Sequence, residues 1–133
     1  MSCYSKHLLA VLAVALLLAI PAMAASQNAQ PLTITDGPRI EYVGPDTAEI
    51  AWTTSIGAST VVRYGTDPNH LDQTAESPYS RGQAGHHVTH RVKIHNLKPN
   101  TTYYFMVDSG QGQGTGTEVK SQVQSFTTKA PRK

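Results

Sequence analysis

Two kinds of hydrophobic pattern divide this chain. Near its start, residues 8–20 form one unbroken run of 13 apolar side chains. From about residue 37 onward, apolar and polar residues alternate in short runs separated by Gly, Pro, Asn and Asp. Such alternation places successive side chains on opposite faces of a β-strand, and no stretch keeps the spacing of an amphipathic helix. The pattern therefore predicts an apolar N-terminal segment followed by an all-β domain.

The apolar segment has the layout of a secretory signal peptide. Lys6 precedes it, Pro21 ends it, and Ala22-Met23-Ala24 supplies the small residues that a signal peptidase recognises. A membrane-spanning helix needs about 20 apolar residues, so a run of 13 is short for a bilayer. We expect residues 1–24 to be a cleaved signal peptide and the mature chain to be secreted to the periplasm or the medium. An uncleaved N-terminal anchor is the alternative.

The alternating region predicts seven strands within residues 37–128. In the second of them Ile50 and Trp52 face inward and Ala51 faces outward, whereas Ile40 and Tyr42 share a face of the first, edge-like strand. Residues 25–36 read as a flexible tether, 76–85 as a long loop, 110–118 as a hairpin connection, and 129–133 as a basic tail. The strands are expected at residues 38–43, 47–53, 60–66, 71–75, 86–95, 101–108 and 122–128. Short strands with frequent turns predict an antiparallel two-sheet sandwich.

Composition narrows the function classes. A chain of 133 residues holds one domain of ordinary size and excludes the large barrel enzymes. A net charge of +2 gives no reason to expect a nucleic acid or an anionic membrane as partner. The single cysteine, Cys3, lies in the predicted leader, so no internal disulfide is expected.

Three motifs stand in the order and spacing of a known domain type. They are VRYGT at residues 62–66, HRVKI at 90–94 continued by L-x-P-x-T-x-YYF at 97–105, and S-x-x-x-x-F-x-T at 121–128. With the inward tryptophan they resemble the fibronectin type III domain, most closely the fibronectin-like N-terminal domain of purple acid phosphatases. The resemblance implies a seven-stranded antiparallel immunoglobulin/fibronectin-III-like sandwich over residues 37–128, preceded here by the signal peptide.

The same resemblance assigns structural roles rather than catalytic ones. Leu97, Pro99 and Tyr103 match a corner in which the tyrosine hydroxyl bonds back to nearby backbone, and Trp52 and Tyr64 match core positions. In the resembling family the metals belong to a second domain with D-x-H, G-D and G-N-H motifs, none of which occurs here. We therefore expect no catalytic residue, no metal ligand and no cofactor, and hence not an enzyme.

Histidines are the other candidate chemistry, because five remain after the leader. Residues along one strand rise about 3.3 Å each and alternate faces, so the histidines of residues 86–95 are too far apart to chelate one ion. They are expected to be solvated or at strand ends, with a metal site shared with a partner as the alternative. The candidate contact residues are Tyr79, which has no evident core position, and His86 and His87.

These observations favour a secreted, non-catalytic binding or accessory module whose partner is a protein or a cell-envelope glycan. Two alternatives stay open. One is an accessory domain or truncated fragment of a purple acid phosphatase that works with a metallophosphoesterase chain in trans. The other is a cell-surface spacer. No nucleic acid is expected as partner, and no membrane after cleavage.

The leader hypothesis makes a direct prediction. Protein recovered from the secreted fraction should have an intact mass that corresponds to a chain starting near Ala25, because the signal peptidase would cut after Ala24. Protein that keeps residues 1–24 and stays in the membrane fraction would contradict a cleaved signal and favour the anchor.

Overall fold

The computed structural model describes residues 30–81, 86–112 and 117–133. Within these residues, the secondary-structure elements are all β-strands. The predicted signal peptide, residues 25–29 of the tether and parts of both long connections lie outside the described residues. No helix able to cross a bilayer occurs in the described part of the chain. The strands are β1 (Ile34–Val43), β2 (Ala48–Thr54), β3 (Ala58–Gly65), β4 (Gln73–Ser80), β5 (Val88–Ile94), β6 (Thr102–Gly110), β7 (Glu118–Lys120) and β8 (Gln124–Thr127).

The strands form two antiparallel sheets that pack face to face. One sheet has the order β1-β2-β5, and the other has the order β4-β3-β6-β7, with β8 also paired to β6. Strand β7 pairs with residues 108–110 of β6 and β8 with residues 102–105, so both lie along the same edge. Strand β8 lies within the final strand predicted at residues 122–128, whereas β7 comes before it in the chain. The all-β sandwich prediction is confirmed.

The core lies between the sheets and follows the predicted alternation. In β5, Val88, Val92 and Ile94 are buried while the residues between them at 89, 91 and 93 are exposed. Burial of apolar side chains contributes about 25 cal/mol per Å² of apolar area removed from water. The largest buried apolar side chains come from strands of both sheets: Trp52, Ile50, Ile94, Phe105, Val62, Val92 and Val107.

A tyrosine corner leads into β6. The Tyr103 hydroxyl accepts a hydrogen bond from the backbone N–H of Lys98 at 2.9 Å, and the buried Leu97 donates its N–H to Asp46 at 2.9 Å. Pro99 is exposed in the bend. The buried Tyr64 ring meets the Tyr103 ring edge-on, with centroids 6.2 Å apart. The corner therefore joins the turn, the core and the start of β6.

The first strand differs from its prediction in two ways. It begins at Ile34, so residues 34–36 of the expected tether are paired with β2. Ile40 lies opposite Ile50 whereas Tyr42 lies opposite Glu49, with a register shift between them. One extra residue, Glu41, forms a β-bulge, and a bulge changes which face the following side chain occupies. The expectation that Ile40 and Tyr42 share a face is therefore wrong.

Ala51 faces outward as predicted, yet it is fully buried. Its cross-strand neighbours are Arg39 and Arg91, whose side chains both donate to the Glu41 carboxylate, at 3.2 Å and 2.9 Å between the paired atoms. Long arginine stems cover apolar surface while their guanidinium groups stay in water. The three charged side chains therefore close over the small alanine.

Two strands reach into stretches predicted as connections. Residues 76–80, expected in a loop, belong to β4, and β7 begins at Glu118, the last residue of the expected hairpin connection. Strand β4 is polar and contains Pro78, a composition that sequence patterns read as loop but that an edge strand tolerates. Pro78 falls where the pairing with β3 shifts, between Ser77 and Ser80. Val123, expected as an apolar strand position, is 44% exposed because it lies between β7 and β8.

Replacing the central tryptophan should come close to unfolding the domain. Trp52→Ala removes a fully buried ring and leaves the Ser109 hydroxyl without its indole partner, so we expect a loss of about 3–5 kcal/mol in the free energy of unfolding. Urea denaturation followed by circular dichroism measures it. Tyr42→Ala, at a 43% exposed position, is the control and should change stability little. An unchanged melting temperature in Trp52→Ala would mean that the strand register is wrong.

Candidate functional site

A groove of about 460 Å³ lies on the outer face of the sheet that contains β3 and β6. Alternation along β3 turns Ser59, Val61 and Arg63 to this face, and Asp108 of β6 lies directly opposite Val61. Gly110, at the end of β6, also lines the groove. We call this the outer groove; its principal lining side chains are Ser59, Val61, Arg63, Tyr79, Asp108 and Glu118.

Tyr79 forms one wall of the outer groove. It lies in β4 at the irregularity between Ser77 and Ser80, and its side chain is 46% exposed. The hydroxyl donates a hydrogen bond to the carbonyl oxygen of Gly57 at 3.1 Å. A side chain at Gly57 would collide with the backbone of Arg81, so only glycine fits this close approach. The tyrosine ring is thus held in place with one side open to solvent.

The opposite wall carries a linked set of charges. The Asp108 carboxylate accepts from Nε of Arg63 at 3.3 Å, and Glu118 lies 3.4 Å from Nζ of Lys120. Burial and a hydrogen bond to Glu118 raise the pKa of Asp108, while that same hydrogen bond lowers the pKa of Glu118. The pKa values of the two carboxyl groups are therefore shifted in opposite directions.

The groove places hydrogen-bonding groups beside an aromatic ring. Nowhere in the described residues do three or more His, Cys, Asp or Glu side chains cluster as metal ligands would. The two carboxyl groups are engaged with each other and with the neighbouring cations. Arg63 is paired with Asp108, yet 47% of its side chain stays exposed to solvent.

A second polar arrangement lies inside the core and centres on His90. Its side chain is fully buried, and its ring stacks on Trp52 with centroids 5.1 Å apart. The expectation that the histidines are solvated or at strand ends is wrong for His90. His90 is two residues from Val88 and two from Val92 in the same strand, so strand alternation turns all three side chains inward.

Hydrogen bonds determine the tautomer of this histidine. The Thr54 hydroxyl donates its only proton to the carbonyl oxygen of Ile56 at 2.7 Å, so it accepts from Nε2–H of His90, also at 2.7 Å. The neutral ring then accepts at Nδ1 from the Thr60 hydroxyl at 2.6 Å. Burial lowers the pKa of His90 to about 4, so the ring is neutral at physiological pH.

The candidate contact residues separate in the structure. Tyr79 lines the outer groove, whereas His86 and His87 are exposed just before β5 and are not among the residues that line it. The sequence pattern did not identify three of the charged groove residues as candidate site residues: Arg63, Asp108 and Glu118. Alternation already turns Arg63 outward with Val61, but its pairing with Asp108 depends on the register between β3 and β6. That register is a tertiary property.

The fold and the motif set define the class of this molecule as a fibronectin-III-like antiparallel sandwich. The family model for the purple acid phosphatase N-terminal domain matches residues 35–128. The chain belongs to this family.

Similarity to individual proteins is more limited. An acid phosphatase of Aspergillus ficuum is 32% identical over 88 residues, which cover 57% of this chain and 14% of that protein. The chain thus spans about a seventh of the length of this curated relative.

Solved structures support the fold alone. The longer form of the sensor domain of the anti-sigma factor RsgI4 in Pseudobacteroides cellulosolvens aligns with a TM-score of 0.53 at 21% identity, covering 77% of this chain and 93% of that one. The shorter form gives a TM-score of 0.50 at 21% identity, covering 76% and 97%. Proteins this different in sequence share an architecture on which unrelated sites are built.

The buried histidine should make stability depend on pH. Because the pKa of His90 is about 4 in the folded chain and near 6.5 when unfolded, the unfolded state binds the proton first on acidification. His90 should leave stability unaffected above about pH 6.5 and lower it by roughly 3 kcal/mol as the pH falls to 4. Urea titrations across this range measure the effect.

Two variants isolate this contribution. His90→Gln should flatten the acid side of the stability profile, whereas His87→Gln, at an exposed position, should keep the wild-type slope. Equal slopes for the wild type and His90→Gln would contradict a buried neutral histidine.

Proposed function

We propose that the chain is a secreted, non-catalytic binding module that uses the outer groove to hold a partner at or outside the cell envelope. The observation that carries the proposal is the groove itself, where a fixed aromatic ring faces a paired set of charged groups. Groups already held in position lose little conformational entropy when a ligand binds. Cleavage of the leader would put the domain where envelope components are its neighbours.

A non-catalytic role is supported from two directions. The family to which the chain belongs is that of the N-terminal domain of purple acid phosphatases, and the metal-ligand motifs of the catalytic domain do not occur in this sequence. Hydrolysis of a phosphate ester by two metal ions needs ligands that converge on a pair about 3.5–4 Å apart. We propose that this chain supplies recognition rather than turnover.

A second function rests on the family membership. The chain aligns with a seventh of an acid phosphatase, so it is a candidate accessory domain for a metallophosphoesterase that it meets in trans. In this case its partner is a protein, and the outer groove need not be the contact surface.

The test combines binding and activity. Chain purified from the secreted fraction should cosediment with isolated cell envelopes and should hydrolyse no aryl phosphate at pH 5 or 7.5. Arg63→Ala should lower the retained fraction several-fold, because it removes the groove's guanidinium. Arg91→Ala is the matched control, since Arg91 is also exposed and paired with one carboxylate but lies on the other sheet.

Three outcomes separate the possibilities. Equal retention of the two arginine variants would contradict the groove as the binding surface. Phosphatase turnover with two bound metal ions per chain would overturn the non-catalytic role. Specific retention of a metallophosphoesterase by wild type and Arg63→Ala alike would favour the accessory function in trans.

A further inference from the structure

We infer that the outer groove binds an uncharged oligosaccharide, with one sugar ring stacked on Tyr79 and its hydroxyl groups bonded to Arg63 and Glu118. The inference rests on the proposed binding function and names its ligand class.

The shape favours a flat ligand that lies along a surface. The groove's volume of about 460 Å³ is within the usual range for ligand clefts, roughly 300–1,000 Å³, but it is open along the sheet rather than enclosed. Tyr79 presents an exposed ring at its wall, and its hydroxyl is tied down at Gly57. The apolar C–H face of a pyranose packs on such a ring, while its hydroxyl groups point sideways toward hydrogen-bonding groups.

The charges favour a neutral ligand. Arg63 is paired with Asp108, and Lys120 with Glu118, so cations and carboxyl groups match along this wall. A phosphate or sulfate would meet the Glu118 carboxylate, and a cation would meet the two basic side chains. Planar guanidinium and carboxylate groups suit neighbouring hydroxyls, because each can form two parallel hydrogen bonds.

The position of the groove argues against an extended peptide. Peptides in extended form commonly bind by adding a strand to a free sheet edge, where backbone groups are unpaired. The outer groove lies over β3 and β6, and each of these strands has paired neighbours on both sides. Recognition here must come from side chains, which is how sugars are bound.

The wall residues are fixed before a ligand arrives. Ser59 accepts a hydrogen bond from the backbone N–H of Gly110 at 2.9 Å, which ties β3 to the end of β6. Arg63 is held by Asp108, and Tyr79 by Gly57. Binding therefore costs little ordering of the protein, which matters for a ligand that makes few apolar contacts.

An oligosaccharide array tests the inference. Chain from the secreted fraction is applied to neutral oligosaccharides of the β-glucan, chitin, mannan and galactan types, with sulfated and phosphorylated glycans alongside. We expect binding to at least one neutral type and no preference for the anionic ones. The best binder is then titrated by calorimetry. Tyr79→Ala should raise the dissociation constant at least about tenfold, and Tyr79→Phe should raise it much less.

The control is Tyr42→Ala, because Tyr42 and Tyr79 are similarly exposed, at 43% and 46%, on different sheets. Its affinity should equal that of the wild type, and melting temperatures should show that every variant is folded.

No binding on the array, or equal binding by Tyr79→Ala and Tyr42→Ala, would overturn the inference. If the array is negative while Arg63→Ala still reduces envelope retention, the groove binds another class and the proposed function stands. If both fail, the binding function falls as well.

Discussion

The contact between Trp52 and His90 is the interaction on which the rest of the sandwich depends. The two rings stack within one sheet, and each also forms a hydrogen bond to the other sheet, Trp52 to Ser109 and His90 to Thr60. Purely apolar packing would hold the sheets together without specifying their relative position, since it is not directional. The two buried hydrogen bonds, at 2.8 Å and 2.6 Å, add direction at the centre of the core.

Buried polar groups stabilise a fold only when every partner is present. Within the described residues, no buried side-chain nitrogen or oxygen lacks a hydrogen-bond partner. The chain of donors that runs from Thr60 through His90 and Thr54 to Ile56 shows how this is achieved, because each group has one defined role. A single missing member would leave a desolvated donor or acceptor, which costs about 1–3 kcal/mol.

Because these interactions lie inside the core, side chains on the outer faces of the two sheets can differ without disturbing them. On one sheet, the arginines around Glu41 cover Ala51 and make a closed polar surface. On the other, a groove lies beside Arg63, Asp108 and Tyr79. The apolar core thus positions the groove without contributing side chains to it, and side chains on this face can change while the sandwich is kept.

Much of the fold was predictable from local pattern, because period-two alternation identifies strands whose inner face is apolar. Trp52, Phe105 and Val92 are buried where the alternation puts them. The second half of β4, residues 76–80, was missed, because its pairing with β3 stabilises it rather than an apolar face. His90 was misjudged for the opposite reason: the alternation pointed inward, but a titratable side chain suggested solvent.

By itself, the sequence determined where most strands lie along the chain, the inward apolar positions, the tyrosine corner and the family, since each of these is encoded in residues close together along the chain. Only the tertiary structure decided which outward side chains meet. Arg63 and Asp108 are 45 residues apart, and Tyr79 reaches the same groove because a shift in the pairing between β3 and β4 turns its ring there. Register across strands joins residues that no local pattern relates, and a shift of one residue would move each side chain to the opposite face.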